Sequence, residues 1–534
     1  MEKEYNIIDE PWICVKTDDC KTVEVSLKEA ILNANSYVEL SGETKTQDFA
    51  ILRLILAIMH TVFSRYDEDG NELDISENTQ DLLTDRWKNI WNLKHIPPVP
   101  IEKYLSKWYD RFWLFSDEYP FYQATSVNGN GNGKPYDTSK MIGSLSESGH
   151  KPRLFSDRFH EGRLLSYSEA TRWLLHLNCF DDIASKNPTP KKTWVSQLGL
   201  IAVKGKNLFE TIMLNYNPEL DEESFQKPSW EQDNNHIEYN RSIAVPNNQA
   251  ELLSLMSRRI YLHRENCLVN GYYIKGGDYF EEQDIDEQMT LWKSYKEKRN
   301  SDFKFKPKLY DTSKKIWQEF GIITNTYYKE DNKEERIRCS GVIHWIELLK
   351  DYEILSEDYI VNLSLASVIY NYGQAASLPV IDLVSDSLTF HSKLLMEAGG
   401  FWNDIIKREI ERCESVAKQL VILNQELKQS AGASDSISNS DIKVQFYDKI
   451  DRVFRVWLFE LNPNKQNKDD YKESYCKLLE VQVYNIAVSL GNQLAIQTGI
   501  MAIFGGKKSS AKAINKFLGC IKKHLPLIND KNNE

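Results

Sequence analysis

The rhythm of apolar and polar positions divides the chain into an irregular first part and a strongly helical last part. Residues 5–15, YNIIDEPWICV, alternate enough to predict a strand, and Pro11, which has no N–H to donate, sets that strand at a sheet edge or a bend. SLKEAIL (26–32) predicts a short helix with Ser26 as its N-cap. Over residues 47–63, Leu52, Ile55, Ile58, Met59 and Val62 recur at spacings dominated by three and four, so a helix with one buried stripe is predicted. Helices are also predicted near 78–92, 101–113 and 165–177, and SDEYPFYQ (116–123) reads as a turn entering a strand. Between 215 and 345, short strands, acidic loops and aromatic residues mix without a dominant period.

From about residue 385 the period becomes helical and stays so. Ile406, Ile410, Cys413, Ala417 and Leu420 make one stripe; Ile450, Val453, Phe454, Trp457 and Leu461 make a second; Tyr475, Leu479, Val483, Ile486 and Leu490 make a third. A polar linker, QSAGASDSISNSD (429–441), separates the first two helices. With 509–524 added, the expectation is an antiparallel four-helix bundle whose stripes pack its core, so that any function lies on its outer faces. The fold class is therefore read as α+β: a large irregular mixed domain over 1–380, followed by a bundle over 385–530.

Length and composition sharpen this only a little. A chain of 534 residues needs two or three cores, and 41% hydrophobic with 27% charged residues is a globular balance. No apolar stretch follows the charges of MEKEYNIID, and no run approaches bilayer-spanning length, so a cytoplasmic protein is expected. The eight cysteines include no CxxC pair and read as scattered buried thiols. The net charge of −12 argues against indiscriminate coating of DNA, but contact depends on local patches. No acid falls between Glu480 and Asp530, where Lys507, Lys508, Lys512, Lys516, Lys522 and Lys523 lie. None falls between Ile183 and Phe209 either, a stretch with Lys186, Lys191, Lys192, Lys204 and Lys206. Acids gather instead at Asp278, Glu281, Glu282, Asp284, Asp286 and Glu287. The plain reading of any one such patch is a solvated face; the segregation suggests an oriented partner surface.

A search for catalytic chemistry returns little. NGNGNGKP (128–135) fits neither GxGxxG nor the P-loop, because Pro135 follows Lys134, and GGKKS (505–509) lacks the upstream glycine. HExxH and GxSxG are absent. DIDE (284–287) lacks the glycine and spacing of a calcium loop. The balance favours a binder over an enzyme, with no cofactor. A divalent-metal nuclease on scattered carboxylates and a purely structural helical scaffold are the rival classes.

Several blocks, in order, carry a resemblance. YNIIDEPWICV (5–15), QDFAILRLILAIMHTVF (47–63), EYPFYQ (118–123), GLIAVKGKNLFETIMLN (199–215) and SRRIYL (257–262) are similar to segments of the CasA family, the large subunit of the type I-E CRISPR Cascade complex. The resemblance runs from the N-terminus to the bundle. It implies a subunit that recognises the protospacer-adjacent motif (PAM) in duplex DNA and starts strand separation, while guide RNA reads the sequence by pairing. Implied partners are target DNA, the 5′ end of the CRISPR RNA, and the guide-handle-binding, backbone and small subunits. Cleavage would come from a recruited helicase–nuclease or from another subunit.

The resemblance also implies site residues. A minor-groove wedge on a tight turn is similar to YNYGQAAS (370–377), with Gly373 in the turn and Gln374 and Ala375 at the tip. A glycine-containing loop corresponds to about 185–198, which has no glycine before Gly199; Lys191, Lys192 and Thr193 stand there. A lysine finger corresponds to Gln283, so the lysine is absent or displaced to Lys275 or Lys293. Cys267 stands alone where relatives carry a cysteine cluster, so no zinc is expected. A loop docking on the guide's 5′ end corresponds to 147–159, with His150, Lys151, Arg153 and Phe155. From the charge pattern instead, Lys507, Lys508, Lys512 and Lys516 would line a DNA path on the bundle.

Overall fold

The computed structural model describes residues 3–73, 80–127, 133–143, 163–180, 193–218, 226–232, 240–280, 286–296, 304–324, 328–330, 333–335, 338–370, 380–395, 400–431, 440–461, 463, 468–498 and 509–529. Two compact units emerge. The first comprises Met1–Tyr310, Arg338–Ile346 and Leu363–Asp386; the second comprises Asp311–Ile337, Glu347–Asn362 and Ser387–Glu534.

The fold is mixed. The chain opens with β1 (Glu4–Asn6), β2 (Ile13–Lys16), β3 (Thr22–Val25), α1 (Leu27–Leu32), β4 (Glu39–Leu40) and α2 (Lys45–Phe63). Next come α3 (Gln80–Leu93), α4 (Pro98–Lys107), β5 (Trp113–Phe115), α5 (Tyr167–Phe180), β6 (Leu200–Val203) and α6 (Leu208–Asn215). Then follow β7 (Arg241–Ser242), α7 (Gln249–Leu253), β8 (Arg258–Glu265), β9 (Leu268–Gly276), β10 (Asp278–Tyr279), β11 (Trp292–Tyr295) and β12 (Lys304–Pro307). The chain continues through α8 (Phe320–Ile323), β13 (Tyr328–Glu330), β14 (Lys333–Glu335), α9 (Gly341–Asp351), β15 (Ile360–Tyr370) and β16 (Val380–His391). Four long helices close it: α10 (Gly400–Ser430), α11 (Ser440–Glu460), α12 (Lys468–Thr498) and α13 (Ser510–His524).

The predicted strand over 5–15 is two strands. β1 pairs with β5, Glu4 opposite Phe115, whereas β2 pairs with β3 and β4. Between them the Asn6 Oδ1 accepts from the Ile8 N–H, and buried Trp12 turns its Nε1–H back onto the Ile7 carbonyl at 2.9 Å. Proline at 11 fits this turn because no ladder donor is needed there. The helix predicted over 101–113 is also shorter, ending at Lys107, and 116–123 turns without entering a strand. Gln123 replaces the missing ladder: its Nε2 donates to the Leu114 carbonyl and its Oε1 accepts from the Leu262 N–H.

α2 corrects two expectations. It carries no single stripe, because every residue from Thr46 to Phe63 is buried. It is also 19 residues long, with a stretch of mean hydropathy 1.3 that is long and apolar enough to cross a membrane, yet that stretch is buried inside the protein. Thr44 caps it by accepting the Gln47 N–H, as Ser26 caps α1 through Glu29. Some of its polar groups bond within the helix; Thr61 donates to the Ala57 carbonyl at 2.7 Å.

β8 and β9 form a hairpin with Glu265 opposite Leu268, closed by Asn266 and Cys267 at φ 51° and 60°. Two positive φ values in a two-residue turn are the type I′ arrangement that matches strand twist, and its second position suits glycine. Cys267→Gly is therefore expected to raise the melting temperature, by about 0.5–1 kcal/mol of stability. An unchanged or lowered midpoint would refute it. Cys267 and Cys20 are exposed, so the thiols are not uniformly buried; none of the eight is in a disulfide.

In the second unit α10 packs on α11, α12 and α13, and α12 packs on α11 and α13. The α10 stripe read from periodicity, from Ile406 to Leu420, is buried throughout. Trp457 of α11 stacks on Tyr475 of α12 at 5.6 Å. Gly491 lets three helices approach, since a Cβ there would stand 2.9 Å from Phe517 of α13 and 3.2 Å from Leu423 of α10.

Candidate nucleic-acid interface

Most of the residues singled out in the sequence lie outside the described residues: Gly373, Gln374 and Ala375; Lys191 and Lys192; Gln283; His150, Lys151, Arg153 and Phe155; and Lys507 and Lys508. The same holds for most of NGNGNGKP and of the 429–441 linker. The structure describes segments that flank some of them. β15 and β16, 11 and 12 residues long, are neighbours in one sheet with β6 and bracket residues 371–379. Thr389 donates to Asn362, so the start of one strand lies beside the end of the other and the two run antiparallel. β15 is pinned to β6 with Leu363 opposite Val203 and Ala366 opposite Leu200.

The residues flanking 181–192 and 281–285 meet on this framework within the first unit. Thr193 is buried and donates to the Cys179 carbonyl at 2.6 Å, which draws the two ends of the former segment together. Trp194 packs on Phe280 with ring centroids 5.0 Å apart, and its Nε1–H points to Glu287 Oε2 at 3.4 Å. Glu287 and Arg53 of α2 form an ion pair at 2.8 Å with side chains 0% and 2% exposed. Glu287 also accepts the Met289 N–H, and Met289 in turn accepts the Ile201 N–H of β6. Burial opposes the Arg53 charge, but the adjacent Glu287 outweighs it and holds the guanidinium above its ordinary range. Leu252 and Trp292 form a small core beside this pair, on which Trp194, Val245, Phe280 and Phe305 pack.

Two carboxylates of DIDE are thus spoken for. Asp286 pairs with Arg338, which lies 4.0 Å over the Trp292 ring, and Glu287 is held by Arg53. A carboxylate neutralised by arginine is a poor cation ligand, and no group of three or more metal-ligating side chains occurs among the described residues. Burial also keeps two nearby titratable groups uncharged: it pushes the Cys179 thiol up to about 11, with Arg53 pulling it back, and lowers His176 to about 3.

On α13, Ala513, Phe517 and Ile521 are buried, and Lys512 and Lys516 are exposed. Lys516 is engaged with Glu426 of α10, which leaves Lys512 as the more available cation of that pair. Sequence reading missed one basic feature. β11 and β12 pair with Lys293 opposite Lys306 and Tyr295 opposite Lys304. The alternating lysines of KFKPK (304–308) were its signal, but their cross-strand partners follow from register.

Comparison with known proteins then defines the class. Residues 6–488 match the family described as CRISPR-associated protein Cse1, and the chain belongs to that family. Among curated relatives, the CRISPR-associated protein CasA/Cse1 of Thermus thermophilus is 31% identical over 240 residues, a stretch covering 43% of this chain and 42% of the relative, less than half of either. The fold is that of solved Cse1 structures. Thermobifida fusca Cse1 matches with a TM-score of 0.79 at 24% identity, covering 98% of this chain and 99% of that one. Thermus thermophilus CasA (Cse1) matches at 0.71 and 18% identity, covering 98% and 100%. A chain of a CRISPR RNA-guided surveillance complex matches at 0.69 and 13% identity, covering 97% and 100%.

Proposed function

We propose that this chain is the large subunit of a type I-E CRISPR RNA-guided surveillance complex, that it recognises the PAM in duplex DNA, and that it wedges the duplex open to start R-loop formation. Membership of the Cse1 family supports the assembly role. The observation that carries the wedge is the long antiparallel pair β15–β16, pinned to β6, which brackets residues 371–379. Two paired strands make a stiff mount, and Gln374 and Ala375 lie between them in sequence. In this reading Lys191, Lys192 and Gln283 flank the groove, and His150, Lys151, Arg153 and Phe155 dock the guide's 5′ end. The last four helices act as an antiparallel four-helix bundle that offers Lys507, Lys508, Lys512 and Lys516 to DNA; the mutual packing of α10 to α13 supports that arrangement. The protein is a cytoplasmic binding subunit with no cofactor, and it supports nuclease action carried out elsewhere. The ion pairs of Asp286 and Glu287 weigh against a metal-dependent nuclease on DIDE.

The test is a band shift with the reconstituted complex on PAM-bearing duplexes, coupled to permanganate footprinting of strand opening. Gln374→Ala and Ala375→Asp are expected to weaken binding about tenfold or more, the scale of one or two lost groove contacts, and to suppress opening. Parental binding and opening in both variants would overturn the wedge.

A further inference from the structure

β16 lies at the edge of the sheet ordered β16–β15–β6. Its partner β15 is buried along most of its length, at Leu363, Leu365, Val368 and Tyr370 among others. β16 differs. Between Asp382 and Ser387 no described side chain is buried, and only beyond them do Leu388 and Phe390 enter the core. Nine residues, 371–379, separate the two strands in sequence. Register in a hairpin is set by a short turn or by a buried face, and neither is available along this stretch of β16. What fixes the strand lengthwise must act at its root.

The root is built for that task, within the second unit. Thr389 donates to Asn362 at 3.2 Å, and the Ser392 N–H donates to the Tyr359 carbonyl at 2.9 Å. Phe390 meets Phe320 edge-on, with ring centroids 5.3 Å apart. Arg455 of α11 donates to the Ser387 carbonyl, and its Nε donates to Asp451, one turn back, at 3.0 Å. Asp451 offers its other oxygen to the Trp317 indole N–H at 2.8 Å, and Trp317, fully buried, stacks on Phe454 at 4.1 Å. Guanidinium carries its donors in a rigid fork, so one group can hold a carboxylate and a carbonyl together. Arg455 thus grips β16 at the residue where the strand leaves the core, and is itself oriented from a fixed indole.

We infer that Arg455 is a positioning residue for duplex opening: by holding the Ser387 carbonyl it fixes how far β16 runs along β15, and so where the residues between the strands, Gln374 and Ala375 among them, are delivered. This rests on the reading of those residues as the wedge. A slip of two residues is the smallest that keeps each side chain on its face. It would carry the far end of the strand about 7 Å, or about two base-pair steps. Arg455 itself need touch no nucleic acid; it acts through β16.

The experiment uses the assembled complex carrying Arg455→Met, which keeps the stem and removes the donors. Two PAM-bearing duplexes are compared, one fully paired and one with a bubble over the first base pairs of the target. On the paired duplex the rate of strand opening, read by permanganate, is expected to fall about tenfold or more, the scale of one hydrogen bond from a charged group. On the bubble, where nothing has to be prised apart, binding should be parental. Asp451→Asn keeps an acceptor for Trp317 and loses the charge that orients Arg455, so it should give a milder loss of the same kind. Adding Asn362→Cys and Thr389→Cys to Arg455→Met places two thiols where the side chains already meet. Oxidation should then restore opening, and dithiothreitol should remove it again. A merely structural role would lower the melting temperature and weaken binding to both duplexes together. An equal loss on both duplexes, parental opening in Arg455→Met, or no recovery on oxidation would each overturn the pin. The two readings fail separately: if Gln374→Ala and Ala375→Asp leave opening intact, the proposed wedge falls; if they suppress it while Arg455→Met does not, only the pin falls.

Discussion

Glu287→Leu is expected to lower the stability of the first unit by about 3–5 kcal/mol. The reason is Arg53, not the lost contact alone. Arg53 sits in the middle of α2, a helix buried from Thr46 to Phe63, and it has no route to water. Its Nη1 donates to Glu287 at 2.8 Å and its Nη2 donates to the Leu252 carbonyl at 3.3 Å. With leucine at 287, a full positive charge stays in a low-dielectric interior with neutral acceptors only. Guanidinium does not escape by losing its proton, since its pKa lies above 12. The companion variant Arg53→Met/Glu287→Leu removes both charges and keeps most of the volume. It is expected to recover most of the loss, because two apolar side chains of similar size replace a desolvated pair. Denaturant unfolding reads the magnitude, and amide hydrogen exchange in α2 localises it. A single variant that costs under about 1 kcal/mol, or a double variant no better than the single, would contradict the account. The same substitution also removes the acceptor of Trp194, so chain entry at residue 193 loosens with the core.

This pair shows where the sequence stops being legible. Arg53 and Glu287 are 234 positions apart, and nothing local marks either as the other's partner. β1 is a strand because β5 lies beside it, more than a hundred residues later, and so the stretch 5–15 could not be divided from its own pattern. Lys306 gains meaning from Lys293 only through register. Local signals read well, by contrast. Ser26 caps α1, and the stripe of α10 is buried as its period requires, because capping and amphipathicity depend on residues within one or two turns. α2 is the instructive mixture: its helical period was visible, but burial on every side depends on what surrounds it. The candidate site residues rest largely on resemblance. Most of them fall on segments whose placement local periodicity does not fix, and Lys512 and Lys516 are the candidate site residues whose surroundings are described.

Between about pH 4.5 and 7, Glu409 should cost the second unit stability as pH rises, and Glu409→Gln should remove that contribution while leaving those of Glu480 and His391 in place. Glu409 of α10 and Glu480 of α12 are 1% and 0% exposed and share one guanidinium. Arg412 reaches Glu409 at 2.6 Å and also bonds Glu480. Glu480 turns its other oxygen to the Leu527 N–H at 2.9 Å, and Arg408 stands 3.9 Å from Glu409. Burial pushes the Glu409 carboxyl up from 4.5 to about 7; Arg412 pulls it down and Glu480 pushes it further up. Glu480 is raised as well, chiefly by burial. The folded chain therefore binds a proton at Glu409 that the unfolded chain has released. Stability from that proton is complete below the unfolded value of 4.5 and is lost as pH passes the folded value near 7. A shift of this size corresponds to a loss on the order of 2–3 kcal/mol. Glutamine keeps an acceptor for Arg412 and cannot ionise, so at pH 8 the variant should be the more stable protein. His391, lowered by burial, acts in the opposite sense below its ordinary value of 6.5, and it cancels in the difference between variant and parent. Melting temperatures of variant and parent measured across the window decide the matter: a variant that keeps the parental slope would show that Glu409 stays charged, with Arg412 neutralising both carboxylates at once.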